Sequence, residues 1–191
     1  MSERSRIGLE PGAVRLMDSQ QAWKKHFQAE ARRLRAALGR RIGRVEHIGS
    51  TAIADMPAKP IIDIMAAVKT LAEAEEMIPQ VERLGYEWHP RDRQDVPDRL
   101  YFVRRTEDGS KSTHHLSLAE ATSDFWRRQL LFRDYVRAHP EVRQAYAELK
   151  RDLAAKFPAD RPAYGDAKTA FIEDILRRAP VGYSFGEPNA P

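Results

Sequence analysis

The chain has 191 residues, of which 42% are hydrophobic, and it carries a formal net charge of +4. This length and apolar content argue against global disorder and support one domain with a proper core, with room for a small helical appendage. The absence of cysteine excludes disulfides and thiolate chemistry. No apolar run could span a bilayer and the N-terminus lacks the apolar core of a secretory signal, so we expect a soluble, cytoplasmic protein without membrane contact.

The excess of positive charge is mild, because acidic and basic residues are mixed along the chain. It favours anionic partners such as nucleoside phosphates. Binding of RNA requires a denser basic stripe, which Arg127, Arg128, Arg133 and Arg137 supply only in part. The oligomeric state and the acceptor of any transfer reaction are not encoded in these patterns.

The first half of the chain alternates helical and strand patterns. Apolar residues at helical spacing predict a helix from Asp18 to Leu38, which Gly39 ends. The nearly continuous apolar run from Ile61 to Val68 predicts a strand buried on both faces, with Asp63 as its one charge. We also expect a helix at 70–84, strands at 44–48, 86–89, 100–105 and 114–118, and a hairpin turn at Asp108-Gly109.

The second half is predicted to be helical, at 124–138, 141–157 and 160–178. The fold class is therefore α/β (α+β), with a sheet, flanking helices and a C-terminal helical segment. We expect an N-terminal extension at 1–17 and one domain at 18–178, with an α/β part at 18–120 and a helical part at 123–178. The Pro- and Gly-rich residues 179–191 are predicted to be a flexible tail.

A phosphate-type turn and a carboxylate lie close together in the sequence. Gly49-Ser50 at a strand end lets the backbone approach a phosphate without a Cβ in the way. Asp63 on the next strand could bind Mg²⁺ that bridges to the same phosphates. Its alternative role is to accept hydrogen bonds from the backbone or from an arginine.

The segment 46–64, EHIGSTAIADMPAKPIIDI, resembles the signature of the GrpB-like family, as do 130–157 and 163–176. That family is placed in the nucleotidyltransferase superfamily, so the resemblance implies a mixed sheet of nucleotidyltransferase type. It also implies that Gly49 and Ser50 bind phosphate, and that Asp63 fills the second position of an Asp-hydrophobic-Asp motif. Ile61 stands where the first Asp would be, which is a departure from the family pattern.

Two functions follow from this resemblance. The first is transfer of a nucleotidyl group from an NTP with Mg²⁺, in which Asp63 binds the metal and Lys59 neutralises phosphate charge. The second is a non-catalytic module that binds a nucleotide or a phosphorylated metabolite and has lost one metal-binding carboxylate. Glu46 or a residue on a later strand is a candidate to replace the missing carboxylate. Lys59 could equally be an ordinary solvated lysine.

Two histidine-containing segments are further candidates. His47, with Thr51 beyond the Gly-Ser turn, could bind phosphate or exchange protons, or it could hold the turn through one ring nitrogen. His115 could donate a hydrogen bond to a substrate phosphate or be a satisfied, partly buried side chain. Ser117 sits where a second histidine would be needed for a metal pair, which weakens a metal role for His115.

The helical segment offers basic and aromatic candidates. Tyr146 and Lys150 are four residues apart, as are Tyr164 and Lys168, so each pair lies on one helix face. Together with Arg133, these side chains could line a cleft in which tyrosines stack on a base and cations meet phosphate. The alternative is a packing stripe from which the lysines extend to solvent.

Overall fold

The computed structural model describes residues 7–179, apart from the side chains of 92 and 93, and its centre is a five-stranded mixed sheet. The strands are β1 (Val45–Ile48), β2 (Ile62–Val68), β3 (Tyr86–Trp88), β4 (Leu100–Arg105) and β5 (Ser112–Glu120). Their order across the sheet is β1-β2-β5-β4-β3. The pairing of β2 with β5 is parallel and the other pairings are antiparallel.

Helices cover both faces of this sheet. They are α1 (Gln21–Leu38), α2 (Leu71–Glu75), α3 (Ile78–Arg83), α4 (Asp92–Asp95), α5 (Asp124–Ala138), α6 (Pro140–Lys156), α7 (Arg161–Asp166) and α8 (Thr169–Arg178). Residues of α1, α2 and α3 pack in one apolar core against one face, and α5 packs against the other. Among residues 7–179, no helix is both long and apolar enough to cross a membrane.

Strand β2 separates the two cores, as its apolar run predicts. Ile62 and Ile64 point into the core beneath α1, whereas Met65 and Ala67 point into the core beneath α5. Burying each large apolar side chain stabilises the fold by about 1.5–3 kcal/mol. Asp63 shares the α5 side with Met65, because alternate residues of a strand point to the same face. The sheet thereby directs Asp63 toward the helical half.

Two expected helices are each divided into two. The helix predicted at 70–84 becomes α2 and α3, since Pro79 lacks an N–H and its ring would clash with the carbonyl one turn earlier. The helix predicted at 160–178 becomes α7 and α8, and Gly165 lowers the helix propensity shortly before the break. The expected tail lies outside the described residues from 180 onward.

Residues 7–17, expected as an extension ahead of the domain, form a strap that joins both halves. Backbone hydrogen bonds run between Leu9 and Ser112 at the start of β5, and between Met17 and Ala58. The amide of Val14 donates to the Pro158 carbonyl at 2.9 Å. The strap therefore fixes the segment that precedes β2 against both β5 and the end of α6.

A buried ionic network ties α1 to the sheet. The carboxylate of Glu30, which is 5% exposed, accepts hydrogen bonds from Tyr86 Oη at 3.1 Å and Arg104 at 2.7 Å. Arg33 donates to the same carboxylate at 3.3 Å and also to the Leu84 carbonyl. Burial and the neighbouring Glu30 raise the pKa of Tyr86, so its hydroxyl stays protonated and donates.

We predict that Glu30→Ala destabilises the protein by about 3 kcal/mol, because it leaves two arginines and a buried phenol without their acceptor. Urea unfolding would measure the loss. Glu82→Ala, at an exposed position on α3, is the matched control and should change the free energy of unfolding by less than about 0.5 kcal/mol. Equal losses for the two variants would contradict the stabilising role of the network.

Candidate functional site

A cavity of about 360 Å³ lies between the sheet and the helical half. One wall consists of the turn after β1, the segment before β2, and residues of β2, β4 and β5. The other consists of residues of α5, α6, α7 and α8 and of the junction between α7 and α8. The residues that line it are Gly49, Ser50, Thr51, Ala58, Lys59, Ile61, Asp63, Tyr101, His115, Arg128, Gln129, Phe132, Arg133, Tyr146, Lys150, Arg161, Tyr164, Lys168, Ile172 and Leu176.

Asp63 and His115 form a hydrogen-bonded pair in this cavity. They are register partners in the parallel β2–β5 ladder, and His115 Nδ1 lies 2.9 Å from Asp63 Oδ1. Burial lowers the pKa of His115 in spite of the carboxylate, so the ring is neutral near pH 7 and Nδ1–H donates. Its Nε2 is then an acceptor, and the Arg161 guanidinium lies 3.4 Å from it.

The carboxylate of Asp63 stays ionised. Burial would raise its pKa, but the hydrogen bond from His115 and the charges of Lys59 and Arg161 outweigh that effect and keep the pKa below its ordinary value. About a third of the side chain, 34%, remains accessible from the cavity. The site therefore contains a fixed negative charge beside a neutral imidazole.

Gly49 lies directly against Asp63. Ile48 and Asp63 are register partners, and Gly49 has a φ of 67° and a ψ of −173°, which side chains rarely adopt. A Cβ at Gly49 would lie 3.0 Å from both Cβ and Cγ of Asp63 and would overlap its Oδ2. The Gly-Ser turn and the strand carboxylate, expected from the sequence to share one site, are brought together in the structure.

Three cations lie around this pair: Lys59, Arg161 and Lys168. None of the three has a carboxylate at ion-pairing distance among the described residues. Lys59 Nζ lies 5.5 Å and Lys168 Nζ 4.4 Å from the ring centroid of Tyr164. Burial and the positive charges of Arg161 and Lys168 lower the pKa of Lys59 to about 7. Burial likewise lowers the pKa of Lys168. Three basic groups thus lie around Asp63, the one carboxylate in the cavity lining of the described residues.

Arg133, expected to contact an anion, also reaches the cavity, but other groups already hold its guanidinium. Nε and Nη2 donate to Asp134 at 2.7 and 2.9 Å, while Nη1 donates to Glu46 at 2.8 Å and to the His47 carbonyl at 3.0 Å. The hydrogen bonds to Glu46 and His47 connect α5 to β1. Glu46 is paired with Arg133 and Arg44 outside the cavity, so it does not replace the missing carboxylate.

His47 and Thr51 hold the turn after β1. His47 Nε2 lies 3.0 Å from Thr51 Oγ1, which donates to the Ile61 carbonyl at 3.3 Å, so the imidazole is the donor to Thr51. The ring stacks on Phe27 at 4.7 Å, and burial lowers the pKa of His47 to about 3. Thr51 borders the cavity, whereas His47 does not. This geometry matches the structural alternative for His47.

Tyr146 and Lys150 lie on one face of α6, as their spacing predicts, and both are buried. Tyr146 is hydrogen-bonded to the side chain of Ser50, and burial raises its pKa. The ammonium of Lys150 donates to the Pro57 carbonyl. Both side chains line the cavity and connect α6 to the loop between β1 and β2.

The donor set around Asp63 does not fit Mg²⁺. Magnesium in phosphoryl-transfer sites is held by carboxylates with near-octahedral geometry. Asp63 is the one carboxylate in the lining drawn from residues 7–179, and within that range no three Asp, Glu or His side chains cluster as metal ligands. One Asp63 oxygen is bonded to His115, and the nearby charges are cationic.

Arg161 and Tyr101 line the cavity, but the sequence patterns did not predict either of them as a site residue. Arg161 is the first residue of α7, just after the capping Asp160, and Tyr101 packs on His115 with ring centroids 5.4 Å apart. Neither position stands out in a periodic pattern. Asp160 caps α7, and a cation directly after the cap, where the macrodipole disfavours it, was the available signal for Arg161.

We predict that Gly49→Ala destabilises the protein by about 3 kcal/mol or more, through backbone strain and overlap with Asp63. The control is Gly85→Ala, which also has a positive φ, 79°, but no neighbour within 4 Å of the added Cβ. Gly85→Ala should lower the free energy of unfolding by only about 1 kcal/mol. Urea unfolding of both variants tests the claim, and similar losses would show that the contact with Asp63 is unimportant.

We also predict that Lys59→Met stabilises the protein most at and below pH 7, and that the advantage shrinks toward pH 10. The folded pKa, about 7, lies below the ordinary 10.5, so the unfolded chain holds more protons between these values. Wild-type stability therefore rises with pH in that window, by at most roughly 1.4 kcal/mol per pH unit from this group. Chemical unfolding at several pH values measures the difference in the free energy of unfolding between Lys59→Met and the wild type. A difference that does not change with pH would contradict the prediction.

Comparison with known proteins places this site in a family. The chain is 33% identical over 172 residues to the glutamate-rich protein GrpB of Alkalihalophilus pseudofirmus, covering 89% of this chain and 98% of that protein. It superposes on the crystal structure of GrpB from Enterococcus faecalis with a TM-score of 0.77 and 32% identity, covering 86% of this chain and 96% of that one.

A more distant likeness concerns the fold alone. The structure of Cid1 in complex with its short product ApU aligns with a TM-score of 0.51 and 14% identity, over 78% of this chain and 48% of that one. The described elements thus form the nucleotidyltransferase-like mixed sheet that the sequence predicted. Since the family described as GrpB protein matches residues 13–178, this chain belongs to the GrpB family.

Proposed function

We propose that the chain binds a nucleotide or another phosphorylated small molecule in the cavity, without a divalent metal ion. The observation that carries this proposal is the charge of the lining. Lys59, Arg161 and Lys168 have no carboxylate at ion-pairing distance in the described structure, and Asp63 is already bonded to His115. A cavity of about 360 Å³ lies within the usual range for small-molecule sites.

Phosphate would relieve a cost that the free protein carries. Burial lowers the pKa values of Lys59 and Lys168, and repulsion by Arg161 lowers both further, so the protonated forms are disfavoured in the absence of an anion. A phosphate dianion between Lys168 and Arg161 would accept charge-assisted hydrogen bonds from both. Tyr101 and Tyr164 would supply aromatic surface to the rest of the ligand.

Nucleotidyl transfer is the second candidate, because the fold resembles that of Cid1. The charge of the site does not favour it. Ile61, at the position of the first acidic residue, is 2% exposed and apolar, and Glu46 is committed to Arg133 and Arg44. With Asp63 as the carboxylate available, the two-metal arrangement of such transfers lacks ligands.

Binding of RNA through α5 is not supported by the surface charges. Arg127 is paired with Asp124, and Arg128 with Glu173. Arg137 bonds to Asp134 at 3.1 Å and to the Ala52 carbonyl. These ion pairs compensate the positive charge that an RNA backbone would require.

We predict that AMP and ATP bind in EDTA as tightly as in Mg²⁺. The cations of the protein then replace the metal as the partner of the phosphates. Lys168→Met should weaken binding at least tenfold, equivalent to about 1.4 kcal/mol, whereas Lys69→Met, at a lysine whose side chain is 82% exposed, should leave it unchanged. Isothermal calorimetry measures the dissociation constants directly, which separates binding from changes in the stability of the free variants.

Two results would overturn this proposal. One is nucleotide binding that requires Mg²⁺ and disappears in Asp63→Asn, which would favour the nucleotidyltransferase function. The other is the absence of binding by any phosphorylated compound at low ionic strength, where electrostatic attraction is strongest.

A further inference from the structure

We propose that Lys59 is a nucleophilic amine that forms an imine with the carbonyl carbon of a phosphorylated aldehyde or ketone bound in this cavity. The inference rests on the proposed function, because Arg161 and Lys168 hold the phosphate of the same ligand. It adds a reaction and a substrate class to what would otherwise be a binding site.

The backbone around Lys59 is fixed on both sides. Ala58 exchanges two backbone hydrogen bonds with Met17, at 2.8 and 2.9 Å, and the Pro60 carbonyl accepts from the amide of Gly8 at 2.7 Å. The carbonyl of Lys59 itself accepts from the Ile61 amide at 2.8 Å. The N-terminal strap thus holds the segment in front of β2, and the side chain of Lys59 borders the cavity.

The partly buried Lys59 differs from the buried Lys150 in its hydrogen bonding. Burial lowers the pKa of Lys150 as well, but its nitrogen is already bonded to the Pro57 carbonyl. Lys59 has no hydrogen-bond acceptor or ion pair among residues 7–179, and its Nζ lies 5.5 Å from the centroid of the Tyr164 ring. A lysine that is desolvated beside other cations loses its proton readily, which is how amine nucleophiles are activated in proteins.

The charged groups facing Lys59 come from several elements. Arg161 on α7 and Lys168 before α8 lower its pKa after burial, and Asp63 on β2 raises it only in part. The resulting pKa of Lys59, about 7, leaves a large fraction of the amine neutral near pH 7. Arg161 and Lys168 supply the positive charge for a phosphate, so Lys59 need not be protonated when the ligand is bound.

The reaction is balanced without an oxidant or reductant. The lone pair of Lys59 Nζ attacks the carbonyl carbon, the C–N bond forms, and the carbonyl π electrons move to oxygen, which takes up the first of the two amine protons. The nitrogen then gives up its second proton to the hydroxyl, the C–O bond breaks, and water leaves as the C=N bond forms. His115 Nε2, kept as an acceptor by the Nδ1–H bond to Asp63, can take the amine proton and return it to the departing hydroxyl.

Pyridoxal 5′-phosphate is a suitable probe, since it carries both an aldehyde and a phosphate monoester. The full chain is incubated with the probe at pH 7.5, reduced with borohydride and mapped by mass spectrometry. We expect saturable labelling of Lys59 at close to one group per chain. Excess inorganic phosphate should slow the labelling, because it competes for Arg161 and Lys168.

Matched variants distinguish the role of the Lys59 amine as a nucleophile from the role of its positive charge. Lys59→Arg keeps a cation but cannot form an imine, so it should abolish the saturable label. It should still bind pyridoxamine 5′-phosphate, which has the phosphate and no aldehyde, and this binding also reports a folded cavity. Lys69→Arg, at an exposed lysine, should be labelled like the wild type.

The outcomes distinguish this inference from the proposed function. Binding of pyridoxamine 5′-phosphate without labelling of Lys59 would overturn the imine and leave the phosphate site standing. Labelling spread over surface lysines and unaffected by phosphate or by Lys59→Arg would also overturn it. If neither phosphorylated compound binds, the proposed function and the imine both fail.

Discussion

The contact between the backbone of Gly49 and the carboxylate of Asp63 is the constraint on which the site depends. Asp63 is an ionised group at the start of a strand whose other side chains are apolar, and such a charge is costly unless it is satisfied. The absence of a side chain at Gly49 leaves room for the carboxylate, and His115 donates to it from the adjacent parallel strand. The cavity opens where these strands meet.

The surrounding helices then determine the sign of the charge on the residues that line the cavity. The start of α7 and the junction before α8 bring Arg161 and Lys168 to face Lys59, and the aromatic ring of Tyr164 lies against both lysines. Arg161, held close to both lysines in a partly desolvated space, lowers their pKa values and reduces stability. Keeping cations close together at a loss of stability is typical of a site that binds an anion.

The likeness to Cid1 concerns shape, and function depends on the groups placed in that shape. In this chain, a buried Ile61 stands beside the strand carboxylate, and Asp63 has a histidine partner in addition to nearby cations. The nucleotidyltransferase-like fold of this chain thus presents a cavity in which Lys59, Arg161 and Lys168 lie around Asp63. The number of carboxylates in the site also distinguishes the two functions that the sequence left open, which are nucleotidyl transfer and binding without catalysis.

Local patterns in the sequence determined much of the fold. Periodicity predicted α1, α5 and α6, the apolar run predicted β2, and the segment 46–64 indicated the nucleotidyltransferase-like sheet and the neighbouring Gly49 and Asp63. Only the tertiary structure decided the partners of each charge. The parallel pairing of β2 with β5 joins Asp63 to a histidine 52 residues away, and the packing of α5 on β1 commits Arg133 to Glu46 across 87 residues. Such contacts depend on strand register and helix packing, which are set by the whole core and leave no periodic trace near the residues concerned.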